Sequence, residues 1–310
     1  MQWAALFPKE GPTVQTTVHE PIFASVDDVI DRLATTGYLA DKATATSVFL
    51  ADRLAKPLLI EGPAGVGKTE LSRAVAQVAD AELVRLQCYE GIDEARALYE
   101  WNHAKQILRI QSATSGGSDS GNAWADTKAD VFSEEFLLQR PLLTAIRRTD
   151  PTVLLIDEAD KADVEIEGLM LEVLSDFAVT VPELGTITAT RRPFVVLTSN
   201  ATRELSEALK RRCLYLHIDF PDEELERRIL ASRVPELKPA VAAQLVRVVH
   251  VLRGMQLKKL PSVAESIDWA RTLLALGLKD LDDKTVRATL GVVLKHQSDH
   301  QRALAELKLA

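Results

Sequence analysis

Cysteine is nearly absent from this sequence: Cys88 and Cys213 are the only two in 310 residues. A disulfide framework is thereby excluded, and the two thiols fit a reducing compartment. Long apolar runs are missing too. Stretches such as Val153–Ile156 and Leu273–Leu276 fall far short of the roughly 20 residues that cross a bilayer, so no membrane insertion is expected. The first residues, MQWAALFPKEGP, carry neither a basic leader nor a long apolar stretch, which argues against a secretory signal. Positive charge is not in excess: Lys and Arg number 37 against 45 Asp and Glu, a net of -8. That balance argues against a chain that grips nucleic acid over its whole surface, and no specific nucleic-acid partner is expected, although a local basic patch is compatible with it. A cytoplasmic, acidic, soluble protein of one large or two smaller domains is the expectation.

What is present is alternation of short apolar strands with helices. Val26–Ala34 and Ala43–Ala55 have helical apolar spacing, with Ser25 and Asp41 as candidate N-caps. Pro57–Ile60, Glu82–Gln87, Thr152–Asp157, Phe194–Ser199 and Leu214–Ile218 read as strands. Between them Thr69–Val78, Asp93–Ile110, Ser133–Arg148, Val164–Phe177 and Glu204–Lys210 read as helices. Val179–Arg192 reads as a hairpin, an insert over 178–192, because Pro182, Gly185 and alternating threonines break the helical period. Such alternation predicts an α/β fold, a mainly parallel sheet covered on both faces. Past Pro221 only helices are expected: Asp222–Arg233, Pro239–Gln256, Ser262–Leu276 and Asp283–Lys308, the last broken near Ser298.

Charge changes at the same place. Residues 222–310 hold 15 Lys and Arg against 12 Asp and Glu, while residues 1–221 hold 22 against 33. The expected division is therefore an extended arm over 1–25, an α/β domain over 26–221 and a helical domain over 222–310. An acidic part meeting a basic part favours head-to-tail assembly. Ser112–Lys128 is rich in Ser, Gly, Asp and Ala, too polar to repay ordering, and predicts a mobile loop over 112–130.

The chemistry sits at strand ends. Gly62-Pro63-Ala64-Gly65-Val66-Gly67-Lys68-Thr69 fits G-x-x-x-x-G-K-[ST], directly after a strand and opening a helix. Small residues let successive N–H groups face an anion, and the helix N-terminus adds its positive end. Lys68 would reach the β- and γ-phosphates of ATP and Thr69 would ligate Mg²⁺; Glu70 completes the nucleotide-binding stretch. Val153–Ile156 ends in Asp157 and Glu158 at the sheet edge where ligands bind in open α/β folds. Asp157 suits the metal shell and Glu158 suits activation of a water. A second acid favours hydrolysis over transfer to a small acceptor, so a kinase is the less natural reading. Val195–Ser199 ends in Asn200, placed to orient a water or touch the γ-phosphate, with a turn or N-cap role as the plainer alternative. Lys210-Arg211-Arg212 follows a helix: either a partner for its C-terminal dipole or an arginine finger.

These motifs, in this order, resemble an AAA+ ATPase: the P-loop, the acidic run Asp157–Asp160, Asn200, Arg211 and Arg212, and a C-terminal helical lid. Three further stretches resemble the MoxR-like group, closest to the CoxD type associated with carbon monoxide dehydrogenase maturation. They are Ala97–Asn102, Glu172–Phe177 followed by Pro182–Gly185, and Arg203–Leu205 followed by Lys210–Tyr215. The resemblance implies a P-loop αβα sandwich with a five-stranded core of strand order 5-1-4-3-2. It also implies a ring, usually of six subunits, with Arg211 or Arg212 reaching the neighbouring site. A chaperone-like ATPase cycle would then act with a von Willebrand A domain protein on a client metalloenzyme. One departure stands out. Many AAA+ proteins carry a sensor-2 Arg at the start of a lid helix, whereas Pro261–Ser266 contains none; Arg271, two turns on, is the candidate substitute. A nucleotide-gated scaffold with negligible hydrolysis is the alternative this leaves open.

Other residues carry less. His296 and His300 have zinc-pair spacing but no Glu between them in an H-E-x-x-H pattern and no third ligand, so they read as a solvated helix face. Cys88 and Cys213 read as structural thiols. The acidic run around Glu165–Asp176 is a solvated face or a partner surface, and Trp101 is a core or a partner-facing residue.

Overall fold

The computed structural model describes residues 19–115, 130–278 and 280–307. Residues 1–18 of the expected arm and most of the expected 112–130 loop lie outside these. Two helices lead in, α1 (Val26–Thr35) and α2 (Lys42–Leu54), with Ser25 and Asp41 accepting from the backbone N–H groups of Asp28 and Thr44. The preceding segment is pinned: Ile22 and Phe23 N–H both donate to Asp52 Oδ2 on α2.

Five strands form the central sheet: β1 (Leu58–Glu61), β2 (Glu82–Gln87), β5 (Thr152–Asp157), β8 (Phe194–Ser199) and β9 (Leu214–His217). All its pairings are parallel, in the order β2-β5-β8-β1-β9. Counted along the chain, that is 5-1-4-3-2, the order the family resemblance implies. The central strands β5 and β8 are buried at all six positions, which is why they read as continuous Val, Leu and Ile rather than as alternation. One face of the sheet, through Leu58, Ile60, Val153, Leu155 and Val196, packs on α1, α2 and α3 (Lys68–Val78). The other, through Leu154, Ile156, Val195 and Leu197, meets two later helices carrying Leu142, Leu143, Ile146, Ile166 and Met170. Each buried aliphatic side chain contributes about 1.5–3 kcal/mol. The result is a three-layer αβα sandwich.

Two expected helices are corrected. Asp93–Ile110 divides into α4 (Glu94–Ala97), β3 (Tyr99–Trp101) and α5 (His103–Ser115). Ser133–Arg148 divides into a 3-10 turn, β4 (Leu137–Gln139) and α6 (Pro141–Arg147). β3 and β4 pair antiparallel, with Tyr99 opposite Gln139 and Trp101 opposite Leu137. Aromatic residues favour this pleated setting. Pro141 takes the first helical position and holds Arg140 extended, so the helix cannot begin earlier. Trp101 stacks edge-on with Tyr99 and Phe132, in a local aromatic group. After α7 (Val164–Asp176), the expected hairpin is present as β6 (Ala178–Val181) and β7 (Gly185–Thr188). α8 (Glu207–Arg212) starts later than its apolar pattern suggests, because Ser206 caps it.

Beyond Asp222 come α9 (Glu223–Arg233), α10 (Pro239–Arg253), α11 (Val263–Ala275), α12 (Asp283–Thr289) and α13 (Gln297–Glu306). They gather around a separate apolar cluster that includes Leu230, Leu245, Val249, Trp269, Leu273 and Leu290. The buried Trp269 indole N–H donates to Thr289 Oγ1 at 2.7 Å. Among the described residues no helix is long and apolar enough to cross a membrane.

Gly62 joins the sheet to the loop after β1 at φ +150°, and a Cβ there would lie 1.9 Å from the Ile218 carbonyl oxygen. Gly91 is also left-handed, at φ +81°, but nothing lies within 4 Å of its would-be Cβ. Gly62→Ala is expected to destabilise the chain by about 3 kcal/mol or more, from strain plus overpacking. Gly91→Ala should cost only about 1–2 kcal/mol of strain. Urea unfolding of the two variants beside the parent chain measures the difference.

Candidate functional site

The loop from Gly62 to Gly67 closes over the end of β1. Gly65 and Gly67 have φ of 76° and 102°, and Gly67 is the N-cap of α3. Left-handed glycines at these positions curl the backbone toward the helix N-terminus. Lys68, at the first turn, is buried. Its ammonium donates to the Gly62 and Pro63 carbonyls at 2.7 Å each and to Asn200 Oδ1 at 2.8 Å. Burial holds the Lys68 pKa below its ordinary value, while Asp160, Asp157 and Glu158 pull it upward.

Asp157 ends β5 and is 3% exposed. Its Oδ1 accepts from Thr69 Oγ1 at 3.0 Å and from Thr198 Oγ1 at 2.5 Å. Its Oδ2 accepts from Arg85 Nε at 3.0 Å and Nη2 at 2.5 Å. Glu158 has a left-handed backbone, φ 55°, and its N–H donates to Thr198 Oγ1 at 2.9 Å. Its carboxylate accepts from Gln87 Nε2 at 3.0 Å, Lys161 Nζ at 2.8 Å and Asn200 Nδ2 at 3.4 Å. Asn200 thus touches Lys68 through its oxygen and Glu158 through its nitrogen. Asp160 fixes the Asn200 loop. It accepts from Asn200 N at 3.2 Å, Thr202 N at 3.0 Å and Thr202 Oγ1 at 2.5 Å. Burial works to raise the Asp160 pKa, but the hydrogen bonds from Thr202 and Asn200 outweigh it and hold the carboxyl below its usual range.

A cavity of about 380 Å³ opens over this group, lined by Ala64, Gly65, Gly67, Lys68, Thr69 and Glu70 on the loop side and by Asp157, Glu158 and Asn200 opposite. A second cavity, about 900 Å³, shares Gly65, Gly67, Glu70, Arg73 and Ala264 with it. Val66 lines this wider space, with apolar walls from Tyr38, Ile218, Phe220, Ile229 and Ile267. A narrow polar end joined to a wider apolar end suits a phosphate chain carrying a base. The C-terminal helices close the top. A Cβ on Gly65 would come within 2.5 Å of Ser262, the cap of α11. Glu70 on α3 also pairs with Arg233 on α9 at 2.6 Å. Thr69 and Asp157 offer a hydroxyl and a carboxylate, oxygen donors that fit a hard cation such as Mg²⁺ completed by phosphate and water.

The remaining expected site residues lie elsewhere. Arg211 and Arg212 line neither cavity. Arg212 donates to Ser175 Oγ and to the Ala208 carbonyl, whereas Arg211 is exposed and has no partner among the described residues. Arg271 lines the wider cavity but not the phosphate-sized one, 3.9 Å from Asp268. Cys88 is buried, and burial first and the Asp157 charge next push its thiol up to about 12; burial does the same for Cys213. His300 Nε2 meets the Leu294 carbonyl at 2.9 Å, not His296. Arg85, Gln87 and Thr198 are contacts that motif reading passes over. The one signal for the first two is that they alternate on β2 and so share a face.

Fold and site define a P-loop nucleotide-binding protein. Residues 58–222 match the family model "ATPase family associated with various cellular activities (AAA)". That is more than half of the chain, and the protein belongs to this family. It is 30% identical over 183 residues to the chaperone protein ClpB of Oceanobacillus iheyensis, covering 58% of this chain and 19% of that one. It is 29% identical over 213 residues to ClpB 2 of Thermosynechococcus vestitus, covering 67% and 20%. The chain thus spans about a fifth of the length of the curated relatives it matches. Among solved structures it is similar to the Thermotoga maritima RuvB Holliday junction branch migration motor, with TM-score 0.45 and 16% identity over 86% of this chain and 71% of that one.

Asp160→Asn should destabilise the chain by about 1–3 kcal/mol at neutral pH, because it removes a charged acceptor from three donors. A depressed folded pKa gives stability that is present above the ordinary carboxylate pKa, about 3.9. That stability is lost as pH falls through the lower folded value. The gap between the two proteins is expected to close below about pH 4, as followed by unfolding at several pH values.

Proposed function

We propose that this chain is a MoxR-like AAA+ ATPase that hydrolyses ATP with Mg²⁺ in a ring, usually of six subunits, and remodels or matures a partner enzyme. The observation that carries the hydrolytic reading is Asn200, whose single amide touches both Lys68 and Glu158. Three residues distant in sequence are thereby set around one point at the sheet edge. Lys68 binds the β- and γ-phosphates, which offer it charge-assisted bonds in place of the loop carbonyls. Thr69 and Asp157 hold the metal, which would neutralise charge on the phosphates. Glu158 accepts the proton of the attacking water, and Asn200 orients that water against the γ-phosphate. Gly62–Gly67 cradle the phosphates with backbone N–H groups, and Glu70 ties the start of α3 to the helices above.

Residues 222–310 act as a lid over a nucleotide domain of residues 26–221. Contact between Ser262 and Gly65, and the Glu70–Arg233 pair, support that reading. Arg211 serves as the finger in the neighbouring site. Support comes from its exposure and from Arg212 being tied to Ser175 within its own subunit. The MoxR-like assignment, closest to the CoxD type, rests on Ala97–Asn102, Glu172–Phe177 with Pro182–Gly185, and Arg203–Leu205 with Lys210–Tyr215. With it come a von Willebrand A domain partner and a client metalloenzyme. The ClpB relatives, named as chaperones, favour a chaperone-like role.

Glu158→Gln is expected to keep nucleotide affinity while turnover falls by about 10²-fold or more. Phosphate release and fluorescent-nucleotide titration on one preparation read both quantities. Normal turnover in this variant would remove Glu158 from the chemistry.

Arg211→Ala should be inactive alone and regain activity when its subunits exchange with Lys68→Ala subunits, because each supplies what the other lacks. Recovery with Arg212→Ala instead would move the finger by one residue. No recovery in either case, with mixed rings verified by tag capture, would end the trans model.

A further inference from the structure

Asp157 is saturated as it stands. Its two oxygens accept four hydrogen bonds, two from hydroxyls and two from Arg85, which is about the capacity of a carboxylate. A metal ion approaching Thr69, or a water bound to it, finds no vacant lone pair on this group. One donor must leave. Thr198 is held in the middle of the sheet, 1% exposed, and also receives the Glu158 N–H. Thr69 is itself the other oxygen donor to the metal. Arg85 is the donor free to move: its side chain is 44% exposed, lines the cavity wall, and among the described residues it pairs only with Asp157 and Gln87 Oε1.

We infer that Arg85 is a tethered cation that holds Asp157 while the site lacks metal and competes directly with the divalent ion for it. The inference rests on the nucleotide reading above. Burying a carboxylate without a counter-charge is costly, and Arg85 supplies that charge from β2. A divalent cation supplies more of it from the loop side. The two cations repel across a single carboxylate, so Arg85 swings outward into the cavity mouth as the metal is taken up. Its guanidinium also lets go of Gln87, whose amide holds Glu158. Loading of the metal shell thereby loosens one of the three holds on Glu158. Arg85 is a positioning residue: it acts through Asp157 and Gln87 and performs no chemistry itself.

The test is Mn²⁺ uptake by the whole chain with saturating ADP, read as free Mn²⁺ by electron paramagnetic resonance, beside thermal melting with and without Mn²⁺. Arg85→Ala should tighten Mn²⁺ binding about 10-fold, since the competing cation is gone. Arg85→Lys keeps the charge but loses the two-pronged grip, and should fall between Ala and the parent. The metal-free Ala variant should melt lower than the parent, and saturating Mn²⁺ with ADP should restore most of that loss. A merely structural Arg85 would lower both melts alike and leave Mn²⁺ affinity unchanged or weaker, which would overturn the inference. Should the Ala variant fail to fold, the Lys variant decides: affinity at or below the parent's overturns the inference. If the parent chain shows no Mn²⁺-dependent ADP binding, the nucleotide reading falls and this inference with it. Metal-dependent binding that the variants leave unaltered sinks the inference alone.

Discussion

A carboxylate buried at the end of β5 is the constraint around which the site is arranged. Asp157 is buried, its carboxylate oxygens need hydrogen-bond donors there, and the fold draws them from three directions. Thr69 comes from the first turn of α3, Thr198 from β8, and Arg85 from β2. Each depends on parallel register. Gln87 lies beside Asp157 across the β2–β5 pair, so Arg85, two residues earlier on the same face, reaches forward to Oδ2. Thr198 is aligned with Ile60 on β1, the strand that runs into the glycine loop. The loop, the acid pair and the Asn200 turn are thus registered to one another by the sheet.

The same logic operates in the C-terminal helices. Glu226 is fully buried on α9 and accepts from Arg253, His250 and Ser266. Arg253 in turn donates to the Pro261 carbonyl and lies 4.5 Å over the Phe220 ring. Those two contacts join the segment leaving the sheet to the start of α11, the point that rests on Gly65. A buried acid with three partners is costly to disturb, so the N-terminus of α11 is placed firmly against the loop. No arginine is needed at Pro261–Ser266 for that contact: Ser262, small and capped by Glu265, fits where the loop has no side chain.

How much of this could be read from sequence depended on whether a feature was local. β2, β5 and β8 have the expected bounds, because their apolar composition and flanking turns are local signals. Caps at Ser25 and Asp41 are where side-chain chemistry puts them. Lys68, Thr69, Asp157, Glu158 and Asn200 were legible because each ends a strand or opens a helix, and the structure brings their side chains together. What was lost depended on pairing. Tyr99–Trp101 and Leu137–Gln139 each fit a helical period when taken alone, and only their meeting makes them strands. Arg85 is similar. Alternation on β2 assigns it a face, but its partner is set by which strand lies alongside, and periodicity does not carry that information.

Lys68 shows how the phosphate loop and the Asn200 turn are joined. Its ammonium is satisfied by two backbone carbonyls and an amide oxygen, all neutral acceptors. Bonds from a cation to neutral oxygens are weaker than those to an anion, and burial already disfavours the charged form. A polyphosphate entering the loop offers negative oxygens in place of neutral ones and relieves that penalty. In the proposed cycle that exchange would also take Lys68 from Asn200 and free its oxygen for a water, with its nitrogen still facing Glu158. On the proposed function, phosphate recognition and preparation of Glu158 would be one rearrangement, carried by the single Asn200 amide that touches both Lys68 and Glu158.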